Sequence, residues 1–261
     1  MSLDDVLNFV PVFALAFFRL AAMMLFAPLF GSARIPRRVK VMMALVIAML
    51  VTSSINTTGL RLPGSIWGMT VGIGSEILFG LAMGTIVSFV FIAAQWAGEI
   101  IGQQMGLNIS EVLDPQFGAA GSLVGDMYFM LTMVVFLSPL VNGHHALIRG
   151  VRASFDALPL GAVVIDRDLL EMVVGLLQAS AALAVQLAAP MLMTMLIVDL
   201  ALGCIGKAMP QMNVMAMGLS IRALLGMLVL LIGLVLTTNV IGQTHISWGN
   251  IVMLRWNAVT K

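Results

Sequence analysis

Two aspartates, Asp126 and Asp199, stand among apolar residues. Paired carboxylates that share a proton can act as acid and base, so these two could form an intramembrane aspartyl protease dyad. The surroundings of Asp126, SLVGDMYF, lack the paired glycines such proteases usually carry. The plainer reading makes each aspartate a helix-terminal or ion-paired group, with Lys207 and Arg222 available to Asp199. His144 and His145 are adjacent and do not share a helix face, and His245 is far away in the sequence. No HExxH pattern is present, so the spacing a metal needs is missing. There is no G-x-S-x-G elbow and no P-loop, which leaves nucleotide hydrolysis without a site. Glu76, Glu99 and Asp199 would suit ion coupling in a secondary transporter, but the two halves show no matched inverted pattern. No catalytic residue, metal or cofactor is expected.

Other polar residues suit packing or passage better than catalysis. Arg19 lies near the middle of the first apolar run, where an arginine is costly and needs a carboxylate or carbonyl partner inside the bundle. Gln95, Glu99 and Gln103 fall four apart and share one helix face, with Gln104 beside them. Such a stripe cannot face lipid, so it faces water or another protein. Directly after it comes GLNISEVLDPQFGAAG, Gly106 to Gly121, with no helical or strand period. Glycines at 106, 118 and 121 permit backbone shapes other residues resist. Pro115 moves Asp114 away from helical geometry.

The elements that must hold these residues are helices in a membrane. Hydrophobic residues make up 61% of the chain and charged residues 10%, and the mean hydropathy is +1.07. Soluble domains carry roughly 25% charged residues. A span needs roughly 20 apolar residues, and the apolar runs reach that length or more. The net charge of +1 gives no reason to expect a nucleic acid. Cys204 is the single cysteine, so no intrachain disulfide can form. The start, MSLDDVLNF, is acidic where a signal peptide is basic, and is read as part of a retained span. The methionines, 22 in all, are read chiefly as core or lipid-facing filler.

About six hydrophobic segments are expected, in one all-α domain over residues 1–261. The first runs from about Val6 to Phe30. GSARIPRRVK, Gly31 to Lys40, is the densest basic cluster and marks a cytoplasmic loop. A second segment covers about Val41 to Ile55, and NTTGLRLPG breaks it. Ser65 to Met105 has no proline, and is either two spans joined by a break or one long helix that leaves the membrane. Met127 to Val141 is apolar. Asn142 to Pro159 reads as an amphipathic interfacial helix, with Leu147, Val151 and Phe155 on one side and Arg149 and Arg152 on another. Asp166 to Met209 is again about twice a span, with Pro190 expected to kink it. The last helix is expected from about Val214 to Val240, followed by an interfacial tail with Trp248 and Trp256.

Several of these stretches resemble the FliR family of flagellar export-gate membrane proteins, which is related to the virulence secretion proteins of the SctT/EscT type. RIPRRVK at Arg34 to Lys40 is similar to the family's basic loop. AGEIIGQQMGL at Ala97 to Leu107 resembles its A-G-x-x-I-x-x-Q-x-G stretch, and Asp114-Pro115 falls where the family has its loop. NGHHALI at Asn142 to Ile148 is similar to its G-H-x-x-L step. VDLALGCIGKAMPQMNVMAMGLSIRALLG, Val198 to Gly226, is the most specific match. Lys207 stands where arginine is common, Met215 where an aromatic is common and Arg222 where lysine is frequent.

The resemblance implies a subunit of a type III protein export gate, flagellar before virulence, in the bacterial inner membrane and basal body. It implies assembly with FliP-like and FliQ-like subunits around a narrow pore, with FlhB-like and FlhA-like proteins beside it. Unfolded secreted proteins would pass through, and long helical hairpins would be lifted partly out of the bilayer. It also implies that Gly106, Leu107, Asn108, Ile109, Val112, Leu113, Asp114, Pro115, Phe117 and Gly118 plug the pore, with Met105 part of the apolar seal. Gln95, Glu99, Gln103 and Gln104 would face neighbouring subunits, and Arg19, Asp199, Lys207 and Arg222 would form buried charge pairs.

Overall fold

The computed structural model describes residues 3–28, 36–54, 65–107, 122–139, 141–158, 160–161, 167–209, 211 and 214–259. Among them the secondary structure is helical, with no strand. The helices are α1 Leu3–Phe26, α2 Arg37–Ser54, α3 Ile66–Met105, α4 Leu123–Leu137, α5 Gly143–Ala157, α6 Arg167–Ala208 and α7 Val214–Val259. Four contain stretches long and apolar enough to cross a membrane: Phe9–Phe26, Ile66–Gln104, Leu170–Ala208 and Met217–Leu234. The chain is a multi-helix membrane protein.

One open alternative is decided and one boundary differs from the expectations. Residues 66–105 form one unbroken helix of 40 residues. Pro190 sits inside α6 without ending it, as membrane helices allow when neighbours and side chains re-satisfy the freed backbone. The last helix does not stop near Val240 but runs to Val259. Polar residues there support the helix instead of breaking it. Thr237 and Thr244 each donate a hydroxyl to the carbonyl four residues back, at 2.8 and 2.7 Å. A ring nitrogen of His245 lies 3.0 Å from the Ile241 carbonyl.

The packing groups into two compact units. One comprises Met1–Phe89, His144–Leu177 and Trp248–Lys261. Its core joins Val12, Leu15, Ala16 and Leu20 of α1 to Ala48 of α2, Phe155 of α5 and Leu160. Val151 packs against the same core, while Arg149 and Arg152 are exposed, so α5 is amphipathic in place as in sequence. α1 and α3 meet through small residues spaced four apart. A Cβ at Gly80 would overlap the Arg19 carbonyl, and one at Gly84 would overlap that of Met23. Ser88, one turn on, donates its hydroxyl to the Phe26 carbonyl. Such small-residue spacing lets helix backbones approach closely.

The other unit comprises Val90–Gly143 and Gln178–Ser247. There α3 and α4 cross at a pair of glycines. Gly98 leaves no room for a Cβ against the Val124 backbone, and Gly125 sits over the Gln95 carbonyl and the Glu99 side chain. Phe91 packs against Phe129, Phe136 and the His245 ring at centroid distances of 5.7, 5.4 and 5.5 Å.

Candidate functional site

Two local structures gather the polar and glycine residues singled out above. In the first unit Arg19 is 1% exposed, and Glu76, 57 residues away, is its partner. The guanidinium forks onto the carboxylate. Nε donates to Oε2 at 2.5 Å and Nη2 donates to Oε1 at 3.0 Å. The remaining donors reach the end of α5. Nη1 bonds the carbonyls of Ser154 and Leu158 at 3.1 and 3.2 Å, and Nη2 bonds Leu158 at 3.2 Å. The last carbonyls of a helix have no partner within it, so Arg19 caps α5. Glu76 also accepts the backbone N–H of Gly161 at 3.0 Å. The rings of Phe79 and Phe155 lie 5.0 and 4.6 Å from the guanidinium carbon. A bidentate pair with its other donors satisfied is a positioning device.

In the second unit the two ends of the glycine-bearing loop are fixed. At its start Gly106 adopts φ 75°, which a side chain resists. Its N–H bonds Gln103 at 3.0 Å and the Leu107 N–H bonds Gly102 at 3.1 Å. This is a Schellman stop, which ends a helix cleanly. At its finish Ser122 caps α4, its hydroxyl accepting from the Gly125 N–H at 3.3 Å. Asn108, Ile109, Val112, Leu113, Asp114, Pro115, Phe117 and Gly118 lie outside the described residues. Met105 is 1% exposed and seats on Gly226 of α7, where a Cβ would strike it. Within this chain Met105 thus packs against α7 just before the loop begins.

The polar stripe is divided. Gln95, Glu99 and Gln104 are half-buried, with Glu99 against Gly125 of α4, and Gln103 is exposed. The charges near the chain's end are less covered than expected. Asp199 and Arg222 approach to 2.5 Å as an ion pair by proximity, with side chains 41% and 38% exposed. Lys207 is exposed in the last turn of α6. Only Arg19 of these four is buried within this chain. Asp126 is exposed in the first turn of α4, where the helix N-terminus favours an acid. Asp199 lies on Arg222 and Asp126 lies at the start of α4, so the two acids have separate settings. Among the described residues no group of three His, Cys, Asp or Glu side chains is placed to hold a metal ion. A cavity of about 160 Å³ lies among α3, α4, α6 and α7, lined by Ile101, Tyr128, Gln186, Pro190, Leu230 and Gly233 among others. A void of that size takes a benzene-sized group, not a polypeptide.

Residues 10–245 match the family described as bacterial export proteins, family 1. The chain belongs to that family. This family-1 export protein is 28% identical to the flagellar biosynthetic protein FliR of Bacillus subtilis, over 97% of this chain and 98% of that one. It is 30% identical to FliR of Aquifex aeolicus, over 88% of each. It is also 26% identical to the surface presentation of antigens protein SpaR of Shigella flexneri, over 83% of this chain and 82% of that one. The matched range of the export protein contains both the Arg19–Glu76 pair and the anchored loop.

Sequence reasoning identified Arg19 as needing a partner but did not find Glu76. No spacing rule links positions 57 residues apart. The signals for Gly98, Gly125 and Gly226 were equally weak, because a helical glycine does not announce which backbone approaches it.

Proposed function

We propose that this chain is a subunit of the flagellar type III protein export gate in the bacterial inner membrane, at the flagellar basal body. It assembles with FliP-like and FliQ-like subunits around a shared pore, with FlhB-like and FlhA-like proteins adjoining, and unfolded secreted proteins pass through. The stretch from Gly106 to Gly121 closes that pore at rest. The observation that carries this reading is the anchoring of the stretch at both ends. α3 stops at Gly106, α4 restarts after Ser122, and Met105 is seated on Gly226. A segment tied at both roots can cork a channel and still move between them.

The action is steric and electrostatic, with no bond made or broken by the protein. Leu107, Ile109, Val112, Leu113 and Phe117 supply an apolar seal, and hydrophobic constrictions gate by dewetting. Gln95, Glu99, Gln103 and Gln104 face neighbouring subunits, since a polar stripe at membrane depth is tolerated only beside protein or water. The likeness to SpaR supports the same role in a virulence secretion apparatus as the second reading.

Extraction in mild detergent tests the assignment. The chain should bring FliP-like and FliQ-like subunits with it. A lone monomer that moves a small solute across reconstituted vesicles would replace this reading with a transporter.

A further inference from the structure

Rings from three helices meet far from the Gly106–Gly121 stretch, on the two helices that carry it. Phe91 of α3, Phe136 of α4 and His245 of α7 form a nearly equilateral triangle. Phe91 and Phe136 lie 5.4 Å apart, and His245 lies 5.5 Å from each, centroid to centroid. Both phenyl rings are buried. Gly242 of α7 rests on Val135 of α4, and Ile241 beside it is fully buried. Phe91 stands 15 residues before Gly106, and Phe136 stands 14 residues after Ser122. At 1.5 Å per residue each is roughly 20 Å along its helix from the stretch. One turn of α7 therefore holds both legs at their far ends.

Hydrogen bonding fixes the state of the histidine. Its Nδ1 lies 3.0 Å from the Ile241 carbonyl. A carbonyl only accepts, so Nδ1 carries the proton and Nε2 of the neutral ring carries a lone pair. Nε2 is buried, with no hydrogen-bond partner among the described residues. A second proton would put a full charge and an unmet N–H beside two phenyl rings. Ring faces attract a cation, but they replace none of the hydrogen bonds that water gives it. Burial accordingly holds the His245 pKa below the ordinary histidine value, with the Ile241 hydrogen bond opposing.

No carboxylate is close along these helices to take up the charge. The acids nearest Phe91 on α3 are Glu76 and Glu99, and Asp126 of α4 comes ten residues before Phe136. Tyr128 of α4 has its phenol on Thr237. On α7 the nearest charges are Arg222 and Arg255. Gly143 sits on the Phe136 ring, and His144 and His145 follow it in the chain.

We propose that His245 is an acid-sensitive latch. Neutral, it fastens α7 to the far ends of α3 and α4; protonated, it leaves the ring triangle and lets them part. The latch works inside this chain and does not depend on the gate reading. It contributes its stability in full above the open-state pKa of about 6.5, and loses it as the pH falls through that value towards the lower folded one.

Amide hydrogen exchange over Thr237–Ser247 reads the latch, on the full chain in mild detergent with whatever subunits come with it. A helix end released from its packing frays. Corrected for the intrinsic effect of pH, exchange there should rise at least fivefold between about pH 7.5 and about pH 5.5, tenfold being roughly the limit for one histidine. His245→Phe keeps a ring in the triangle and removes the titration, so the rise should vanish. Replacing both His144 and His145 by glutamine should leave the rise intact. A smaller rise in the natural chain, or one that survives His245→Phe, overturns the proposal. Loss of the rise in the His144→Gln, His145→Gln variant overturns it too. If His245→Phe fails to accumulate, His245→Leu takes its place. If neither accumulates, the natural chain decides: a rise confined to Thr237–Ser247 supports the latch, and one shared equally by α6 overturns it.

Discussion

Arg19 solves two problems with one side chain. It neutralises Glu76 in the interior, and it satisfies the carbonyls at the end of α5. Removing one partner of a buried pair leaves an uncompensated charge and typically costs about 3–5 kcal/mol. Glu76→Ala should therefore lower thermal stability in detergent sharply, and the amphipathic helix α5 should become sensitive to protease first. Replacing both residues by methionine should do less harm than Glu76→Ala alone, since apolar substitution of a whole buried pair is often near neutral. A double variant as damaged as the single one would mean that the α5 cap outweighs the ion pair. At this scale the sequence was half legible. An arginine inside an apolar run declares its need for a partner, but the identity of that partner depends on the fold, and Glu76 read equally well as an ion-coupling acid until the fork was seen.

Helices meet here where glycines remove side chains. The cost of filling each gap depends on what lies opposite. At Gly98 the obstacle is the Val124 backbone, which cannot step aside. At Gly226 it is the side chain of Met105, which can. Gly98→Ala should thus cost more stability than Gly226→Ala, on the order of 1–3 kcal/mol for an overpacked contact. Gly226→Ala should act through function instead, unseating Met105 and raising ion leak through an assembled gate. Gly74 has nothing within 4 Å of its missing Cβ, and Gly74→Ala should be neutral or stabilise by up to about 1 kcal/mol. Thermal melts of the three variants in one detergent check the order. Gly106 is different again. Its φ of 75° makes Gly106→Val a strained stop for α3, and the loop's start should fray. That stop was readable from sequence because a glycine ends an amphipathic run there. The length of α7 was not. The tail with Trp248 and Trp256 read as interfacial, yet the helix continues through it, with Thr237, Thr244 and His245 each turned onto a carbonyl four residues back.

The whole molecule is out of scale with a single bilayer. α3, α6 and α7 contain 40, 42 and 46 residues. At 1.5 Å per residue each is roughly 60 to 70 Å long, about twice a hydrocarbon core. The buried share of the apolar stretches falls from 56% in α3 to 17% in α7, so most of the surface awaiting cover lies late in the chain. Composition alone made the membrane assignment, because no soluble fold of this length hides so much apolar area. The excess helix length was visible as unbroken apolar runs, but whether each was a hairpin or one rod turned on interior residues, such as Pro190, that a membrane helix tolerates. The proposed assembly, if its rods stand partly outside the bilayer, would match these lengths and would give the polar stripe on α3 a neighbour.

The claim that the Gly106–Gly121 stretch corks a shared pore is tested most directly by ion conductance. The assembled gate, reconstituted in a planar bilayer, should be closed with the natural chain. Shortening the stretch between Asn108 and Gly118 should leave assembly intact and open a steady ion leak. A shortened gate that assembles, stays tight to ions and exports nothing would contradict the account.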